Sequence, residues 1–280
     1  MKTRILTSVI IIAVMTAVLC LSGTVVYPIA LSVLAVMATF EILRVFGMEK
    51  NYVVSIPAYI VSGIMPSLAY VMSELMRRPE YEFVIALALV LFVLMLYLFV
   101  VAVFSKGAVK FDSLSSVQVM VIYVASAFSA LSIINCIDGI GLFCVGMVLI
   151  GAWISDVMAY FSGYFFGKHK LIPEVSPKKT VEGSIGAVVG TGLAMLLYGF
   201  IVSLVTDLTP NYLVLAISGP ILSLIGQIGD LFASLLKREH GIKDYGNLMP
   251  GHGGIMDRFD SILAVACATM IIVLTAAPFA

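Results

Sequence analysis

Four aspartates stand at positions where an apolar chain rarely carries charge. Asp156 and Asp230 lie inside long hydrophobic segments, and Asp257 and Asp260 stand three residues apart at the start of another. An aspartate at the middle of a membrane helix costs about 2.5–3.5 kcal/mol on insertion scales, so such side chains face protein, water or a ligand. Carboxylate oxygens are the ligands that Mg²⁺ prefers, usually together with substrate phosphates. One interpretation is therefore a magnesium site, and the alternative for the last two residues is a solvated polar turn.

Asp230 belongs to a polar stripe along one predicted helix. Its other members are Ser223, Gln227, Ser234 and Lys237, at steps of four, three, four and three residues. This spacing places them on one helical face. An interhelical hydrogen-bond seam would explain the serines and the glutamine, but it explains the aspartate poorly.

A second candidate segment reads KHKLIPEVSPKKTVEG. Pro173 and Pro177 exclude a helix there. Hydroxyl and ammonium groups cluster in its second half, at Ser176, Lys178, Lys179 and Thr180. Backbone N–H groups, hydroxyls and lysines in combination are typical of phosphate-binding loops. The alternative is an ordinary positively charged cytoplasmic loop.

A glycine-rich turn, PGHGG, spans Pro250–Gly254. Its glycines would let the backbone approach an anion closely. His252 stands between two glycines, and zinc would need more nitrogen or sulfur ligands than the chain offers. We therefore predict that His252 donates a hydrogen bond to a substrate phosphate.

The composition indicates a membrane protein. Of the 280 residues, 61% are hydrophobic and 11% are charged, whereas soluble domains are about 45–50% apolar and about 25% charged. The net charge is zero, so no basic field points to a nucleic acid. The four cysteines lie in apolar runs without metal-site or redox spacing, and they are expected to pack as small apolar residues.

Nine segments are apolar enough to cross a bilayer core about 30 Å thick, which takes roughly 20 helical residues. They are Ile5–Leu21, Tyr27–Leu43, Val53–Met72, Phe83–Phe104, Val117–Ile137, Ile140–Phe166, Ser184–Val205, Tyr212–Leu236 and Ser261–Ala280. The predicted fold is an all-α, polytopic membrane helix bundle.

The positions of the cations predict the orientation of the bundle. With the N-terminus in the cytoplasm, every Lys and Arg except Arg77 and Arg78 falls on the cytoplasmic side. Cytoplasmic loops are enriched in these residues. The loops Gly167–Gly183 and Lys237–Asp260 then face the cytoplasm. We expect residues 1–115 to form scaffold helices and residues 116–280 to form the catalytic part. These features favour phosphoryl or nucleotidyl transfer onto a substrate in the bilayer.

The C-terminal half resembles the phosphatidate cytidylyltransferase (CDP-diacylglycerol synthase) family. The resemblance rests on a run from Ser234 to Asp260, with LKR at 236–238, KD at 243–244, PGHGG at 250–254 and DRFD at 257–260, and on FGKHKL and SPKKTVEG upstream. One mild departure is Met249, where a branched or aromatic apolar residue is expected. The first 110 or so residues are similar only in being hydrophobic.

The resemblance implies that CTP and phosphatidic acid react to give CDP-diacylglycerol and pyrophosphate, with Mg²⁺ as cofactor and a second metal ion left open. It implies metal ligands at Asp230 and Asp257, with support from Asp260 and Asp156. Catalytic roles fall on Asp230, Asp257, Lys237 and Arg238. Substrate-binding roles fall on Ser176, Lys178, Lys179, Thr180, Ser234, Lys243, His252, Gly253, Gly254 and Arg258.

Three alternatives remain open at this point. A CTP-dependent lipid kinase would transfer the γ-phosphate, and a cytidylyltransferase acting on an isoprenoid ether lipid would use a similar site. A cation transporter would explain the intramembrane aspartates, but it would leave the lysine- and glycine-rich loops without a purpose. The family also suggests a homodimer through the N-terminal helices, in the cell inner membrane, with the active site facing the cytoplasm.

Overall fold

The computed structural model describes residues 16–77, 80–106, 109–248 and 253–280. In chain order the elements are α1 Val26–Val45, α2 Tyr52–Tyr70, α3 Glu80–Phe104, α4 Phe111–Asn135, α5 Gly141–Leu149, α6 Ser155–Phe166, β1 Lys170–Ile172, β2 Ser176–Thr180, α7 Val181–Val205, α8 Tyr212–Glu239 and α9 Met256–Ala276. Within the described residues, eight helices are long and apolar enough to cross a membrane. The predicted all-α, multi-pass membrane architecture is confirmed. Residues 5–15 of the predicted span Ile5–Leu21 lie outside the described residues, and the orientation of the N-terminus stays a prediction.

Large apolar side chains cover the outside of the helices. The helix α3 is the clearest case, since only 11% of its most apolar window is buried and the mean hydropathy there is 3.2. Val93 and Val103 are 63% and 72% exposed. Lipid solvates such surfaces, whereas water would not. The protein is therefore an integral membrane protein that crosses the bilayer several times.

The chain forms two compact units. The first contains residues 1–136 together with 244–258, and the second contains residues 137–243 together with 259–280. The boundary predicted at residue 115 separates scaffold helices from catalytic helices, which is a division by function and not by compactness, and it stays a prediction.

The first unit is built around α4, which is the most buried of the membrane helices. Leu43 of α1, Val54 and Ala58 of α2, and Val121 and Ala125 of α4 share one hydrophobic core. The helix α2 contains two prolines and continues into a π-helical turn at Val71–Leu75. Membrane helices tolerate prolines because neighbouring groups satisfy the freed backbone atoms.

The second unit depends on small residues where its helices cross. A Cβ atom on Gly219 of α8 would lie 2.8 Å from the Cα atom of Gly192 in α7, and a Cβ atom on Gly183 would lie 2.8 Å from the carbonyl oxygen of Ala159 in α6. Small residues let membrane helices approach closely and gain van der Waals contact. The α6–α7 and α7–α8 crossings fix the positions of the polar side chains described below.

A π-helical turn, Ile150–Ile154, joins α5 to α6, so the long predicted span Ile140–Phe166 is one interrupted helix. The turn ends immediately before Ser155 and Asp156. Such turns are frequent at functional sites because they change the direction in which the following side chains point.

The segment between α6 and α7 forms an antiparallel hairpin, whereas the sequence predicted only a loop there. The strand β1 pairs with β2 through Lys170 opposite Thr180 and Ile172 opposite Ser176. Pro177 lies in β2 and donates no backbone hydrogen bond, which a two-stranded ribbon tolerates because each strand has a free edge. The hairpin presents Lys178 and Lys179 directly before α7 begins.

Candidate active site

The second unit joins β2 to the polar stripe of α8 through an ion pair. The ammonium group of Lys179 lies 2.5 Å from the Asp230 carboxylate, and the two side chains are 24% and 25% exposed. A pair in this intermediate environment is worth more than a surface ion pair because water screens it less. The predicted phosphate-binding strand and the predicted metal ligand are therefore adjacent.

Three carboxylates from three helices interact electrostatically in this unit. Asp260 of α9 interacts with Asp230 of α8 and Asp156 of α6, and Lys237 partly compensates. Asp156 interacts in turn with Asp230 and Lys179. Acidic groups gathered at one place repel each other, and a cation relieves that repulsion.

These residues fit a magnesium ion in the chemistry of their donors. In the described part of the chain, no three His, Cys, Asp or Glu side chains form a ready-made metal cage. Mg²⁺ does not require one, since it commonly takes one or two carboxylates and completes its shell with water and substrate phosphates. Asp230 is the central candidate ligand because, among the neighbouring acids, it has the largest electrostatic effect on both Asp156 and Asp260.

The N-terminal part of the α8 stripe, Ser223 and Gln227, forms an interhelical hydrogen-bond network. The Ser223 hydroxyl lies 2.7 Å from the Ser155 hydroxyl, and the Ser184 hydroxyl donates to Gln227 Oε1 at 2.5 Å. Gln227 Nε2 also donates to Ser223 Oγ at 3.2 Å. The seam alternative therefore accounts for Ser223 and Gln227, and it holds α6, α7 and α8 together beside Asp230.

A cavity of about 340 Å³ opens beside this network. Four predicted site residues line it: Asp156, Lys178, Lys179 and Thr180. Tyr160 and Tyr164 line it as well, although aromatic residues near a membrane boundary are more often interfacial anchors than binding groups. Their rings stack with centroids 6.3 Å apart. The cavity thus combines cationic, acidic, hydroxyl and aromatic groups.

The start of α7 is held by its own side chains. Thr180 is the N-cap residue, and its hydroxyl oxygen accepts a hydrogen bond from the backbone N–H of Gly183 at 3.1 Å. The Glu182 carboxylate accepts from the backbone N–H groups of Lys168 and His169 and lies 2.6 Å from His169 Nδ1. The TVEG part of the motif therefore fixes the hairpin against the helix.

The remaining predicted residues of the second unit lie around this centre. Ser234 and Lys237 are half-buried on α8, while Arg238 and Lys243 are exposed near its end. Ser176 is half-buried in β2, opposite Ile172. None of these five is among the residues that line the cavity in the described part of the chain.

The first unit contains the other predicted residues. Asp257, in the first turn of α9, accepts hydrogen bonds at Oδ2 from the backbone N–H groups of Tyr245 at 2.7 Å and Gly254 at 2.9 Å. Gly253 has a φ angle of +84°, and a Cβ atom there would lie 2.7 Å from the same carboxylate oxygen. Arg258 is exposed, and His252 lies outside the described residues. Asp257 thus organises the segment in front of α9.

Sequence reasoning missed Glu41 of α1, which also contacts this segment. The helix is otherwise almost uncharged, with Arg44 as its basic residue in the last turn. An ionisable residue inside a membrane helix marks a functional position by default, and that signal was visible in the sequence. It was overlooked because the N-terminal helices were assigned a scaffold role as a group.

Comparison with known proteins agrees with the family resemblance that the motifs indicate. The model of the cytidylyltransferase family matches residues 2–276. A phosphatidate cytidylyltransferase of Bacillus subtilis (strain 168) is 36% identical over 265 residues, covering 95% of this chain and 94% of the relative. Proteins of the same name from Staphylococcus haemolyticus (strain JCSC1435) and Staphylococcus aureus (strain COL) are 33% and 34% identical over 272 and 270 residues, in each case 95% of this chain and 96% of the relative.

Proposed function

Because the chain belongs to the cytidylyltransferase family and is therefore a nucleotidyltransferase, we propose that it transfers a cytidylyl group from CTP to phosphatidic acid. The products are CDP-diacylglycerol and pyrophosphate. The observation that carries the proposal is similarity along nearly the whole chain to proteins named for this activity. The cavity lined by Lys178, Lys179 and Asp156 supports it, since that combination suits a nucleotide with its metal ion.

The CTP phosphates lie against β2 in this proposal. Lys178 and Lys179 provide positive charge, and Thr180 provides a hydroxyl donor at the edge of the cavity. Lys179 is paired with Asp230 at 2.5 Å, and its flexible side chain can exchange that carboxylate for a phosphate oxygen. The stacked pair Tyr160 and Tyr164 supplies an aromatic surface on the same cavity.

Asp230, Asp260 and Asp156 are the residues of the second unit that would hold Mg²⁺, and Asp257 remains a predicted ligand. When bound, the metal ion stabilises charge on the phosphates. The chain's own contribution is to hold the acids close together, with Lys179 and Lys237 near them. A second metal ion stays a prediction.

The reaction needs no general base in this proposal. The phosphate of phosphatidic acid is ionised near neutral pH, and one of its oxygens attacks the α-phosphorus of CTP. The new P–O bond forms as the bond to the β-phosphate oxygen breaks, and the electron pair leaves with pyrophosphate. Lysine and arginine side chains stabilise the charge on the leaving group, and we assign this role to Lys237 and Arg238. Positioning and electrostatics then supply most of the rate enhancement.

Isotope labelling tests this assignment directly. Purified protein receives Mg²⁺, phosphatidic acid and CTP that carries label at either the α- or the γ-phosphorus. Label entering the lipid from the α position alone is the expected result. Label from the γ position alone would show a CTP-dependent lipid kinase. If phosphatidic acid takes up no label but an isoprenoid ether lipid phosphate takes up label from the α position, the acceptor is that ether lipid and not phosphatidic acid.

The location of the reaction is part of the proposal. Active-site residues at the cytoplasmic ends of the helices would meet CTP from the cytoplasm and the lipid from the bilayer. The excess of cations on that side in the predicted topology supports this arrangement. A cell-membrane location and a homodimer belong to the same proposal. Labelling of single cysteines from each side of sealed vesicles would test the topology.

A further inference from the structure

A glutamate lies buried in α1, a helix that is otherwise almost wholly apolar. Glu41 is 4% exposed. Its two carboxylate oxygens accept hydrogen bonds from consecutive backbone amides, those of Ile255 and Met256, each at 2.9 Å. These amides belong to the start of α9, where the first turn of any helix leaves backbone N–H groups without partners inside the helix. The carboxylate supplies both acceptors at once.

Two glycines of the motif segment make room for this carboxylate. A Cβ atom on Gly254 would overlap the carboxylate of Glu41, and a Cβ atom on Gly246 would lie 2.9 Å from Glu41 Cδ. The flexible end of a glutamate can normally move aside. Here it is buried and bonded at both oxygens, so any shift breaks hydrogen bonds to a charged group, which are among the stronger ones in proteins. The Glu41 carboxylate can therefore keep this position only if residues 246 and 254 are glycines.

A second contact from the same helix reinforces the first. Arg44, one turn after Glu41, donates a hydrogen bond from its guanidinium group to the backbone carbonyl oxygen of Tyr245. Tyr245 is 1% exposed, and its backbone N–H donates to Asp257. The backbone of Tyr245 is thus tied to α1 through its carbonyl oxygen and to Asp257 of α9 through its N–H group.

From these contacts we infer that Glu41 is a positioning residue for the active site. It fixes the backbone that carries Asp257 by holding the two amides in front of it, and Gly246 and Gly254 are glycines because this carboxylate occupies the space of their side chains. The inference rests on the proposed function for the role of Asp257, but the contacts that carry it lie within the first unit. An N-terminal helix treated as scaffold then takes part in catalysis through the segment that it holds.

Hydrogen–deuterium exchange tests the contact without any substrate. Glu41→Ala should speed the exchange of the Ile255 and Met256 amides by about 10- to 100-fold, because each loses a charged acceptor. Glu41→Gln keeps the size of the side chain but only one good acceptor oxygen, and it should give an intermediate increase. The matched control is Thr39→Val, which removes a buried hydrogen bond to Ser62 from the same helix without touching the segment. Unchanged exchange at both amides in the glutamine variant would overturn the inference.

Kinetics then separate positioning from general damage. In Glu41→Gln we expect kcat to fall by about tenfold while KM for CTP changes by less than about threefold, since the residue acts on the aligned segment and not on the nucleotide. Thr39→Val should keep kcat within about twofold of the wild type. Normal kcat in Glu41→Gln would refute the positioning role. If the wild-type protein itself lacks cytidylyl transfer, the proposed function fails, and the exchange experiment still decides whether Glu41 holds the segment.

A double substitution tests the shared space. Gly254→Ala alone should reduce activity by about 100-fold or more, because its methyl group displaces the carboxylate. Combined with Glu41→Ala, the same substitution should cost less than about threefold beyond the loss caused by Glu41→Ala, since the clash is gone. Independent, multiplicative effects of the two changes would contradict the steric argument.

Discussion

The Lys179–Asp230 ion pair predicts that replacing both residues destabilises the protein less than replacing Lys179 alone. Replacing Lys179 with methionine leaves Asp230 close to two other acids, Asp156 and Asp260, without its cation. Removing one partner of a fully buried pair costs about 3–5 kcal/mol, whereas exposed pairs are worth about 0–1 kcal/mol. Both side chains are about a quarter exposed, so we expect a loss of roughly 2–3 kcal/mol in the free energy of unfolding.

The double variant Lys179→Met/Asp230→Asn should be more stable than Lys179→Met alone. The second substitution removes the carboxylate that was left unpaired and reduces the repulsion among the three acids. We expect it to recover at least about 1 kcal/mol, as contacting charges commonly couple by this amount. If the two substitutions acted independently, their losses in the free energy of unfolding would instead add up.

Thermal unfolding in detergent, with chelator present and without nucleotide, measures these differences. A change of 1 kcal/mol shifts Tm by about 2–4 °C in a domain of 150–250 residues, so Lys179→Met should lower Tm by roughly 4–12 °C. The control is Lys178→Met, which changes the exposed neighbouring lysine of the same strand and should shift Tm by less than about 2 °C. All scans use one heating rate, because membrane proteins often unfold irreversibly. A double variant less stable than Lys179→Met would refute the idea that the ion pair stabilises the acidic cluster.

Three further predictions concern individual site residues. Asp257→Asn should lower cytidylyl transfer by more than about 100-fold if Asp257 is a metal ligand. Amide exchange in residues 244–258 should stay normal, because the asparagine oxygen can accept the same two backbone hydrogen bonds. The control is Asp207→Asn, at an exposed residue between α7 and α8, and activity of Asp257→Asn within about threefold of this control would exclude Asp257 as a metal ligand. Thr180→Val should cost about 1 kcal/mol through the lost N-cap of α7, with Thr180→Ser close to the wild type in Tm, and equal Tm values for both variants would show that the cap contributes nothing. Gly183→Ala should reduce the yield of folded protein in size-exclusion chromatography, because its Cβ atom would lie 2.8 Å from the Ala159 carbonyl oxygen; a normal yield would show that the α6–α7 crossing relaxes easily.

Much of the architecture and several residues of the candidate site could be predicted from the sequence. Long apolar segments leave few folds other than a membrane helix bundle, because backbone hydrogen bonds must be satisfied inside lipid. An aspartate in such a segment is costly enough to indicate function by itself, which is why Asp156 and Asp230 were predicted as site residues. Lys179 and Thr180 were predicted because their motif combines cations and hydroxyls in a short stretch.

Tertiary structure alone decided the contacts that depend on distant parts of the chain. The pairing of Lys179 with Asp230 and the bonds from Glu41 to Ile255 and Met256 join residues 51 and more than 200 positions apart, and spacing along one helix carries no information about them. The hairpin was missed because two prolines argue against helix without specifying the pairing of two short strands. Local sequence determines which residues can be helical, apolar or charged, whereas helix packing determines which charges meet.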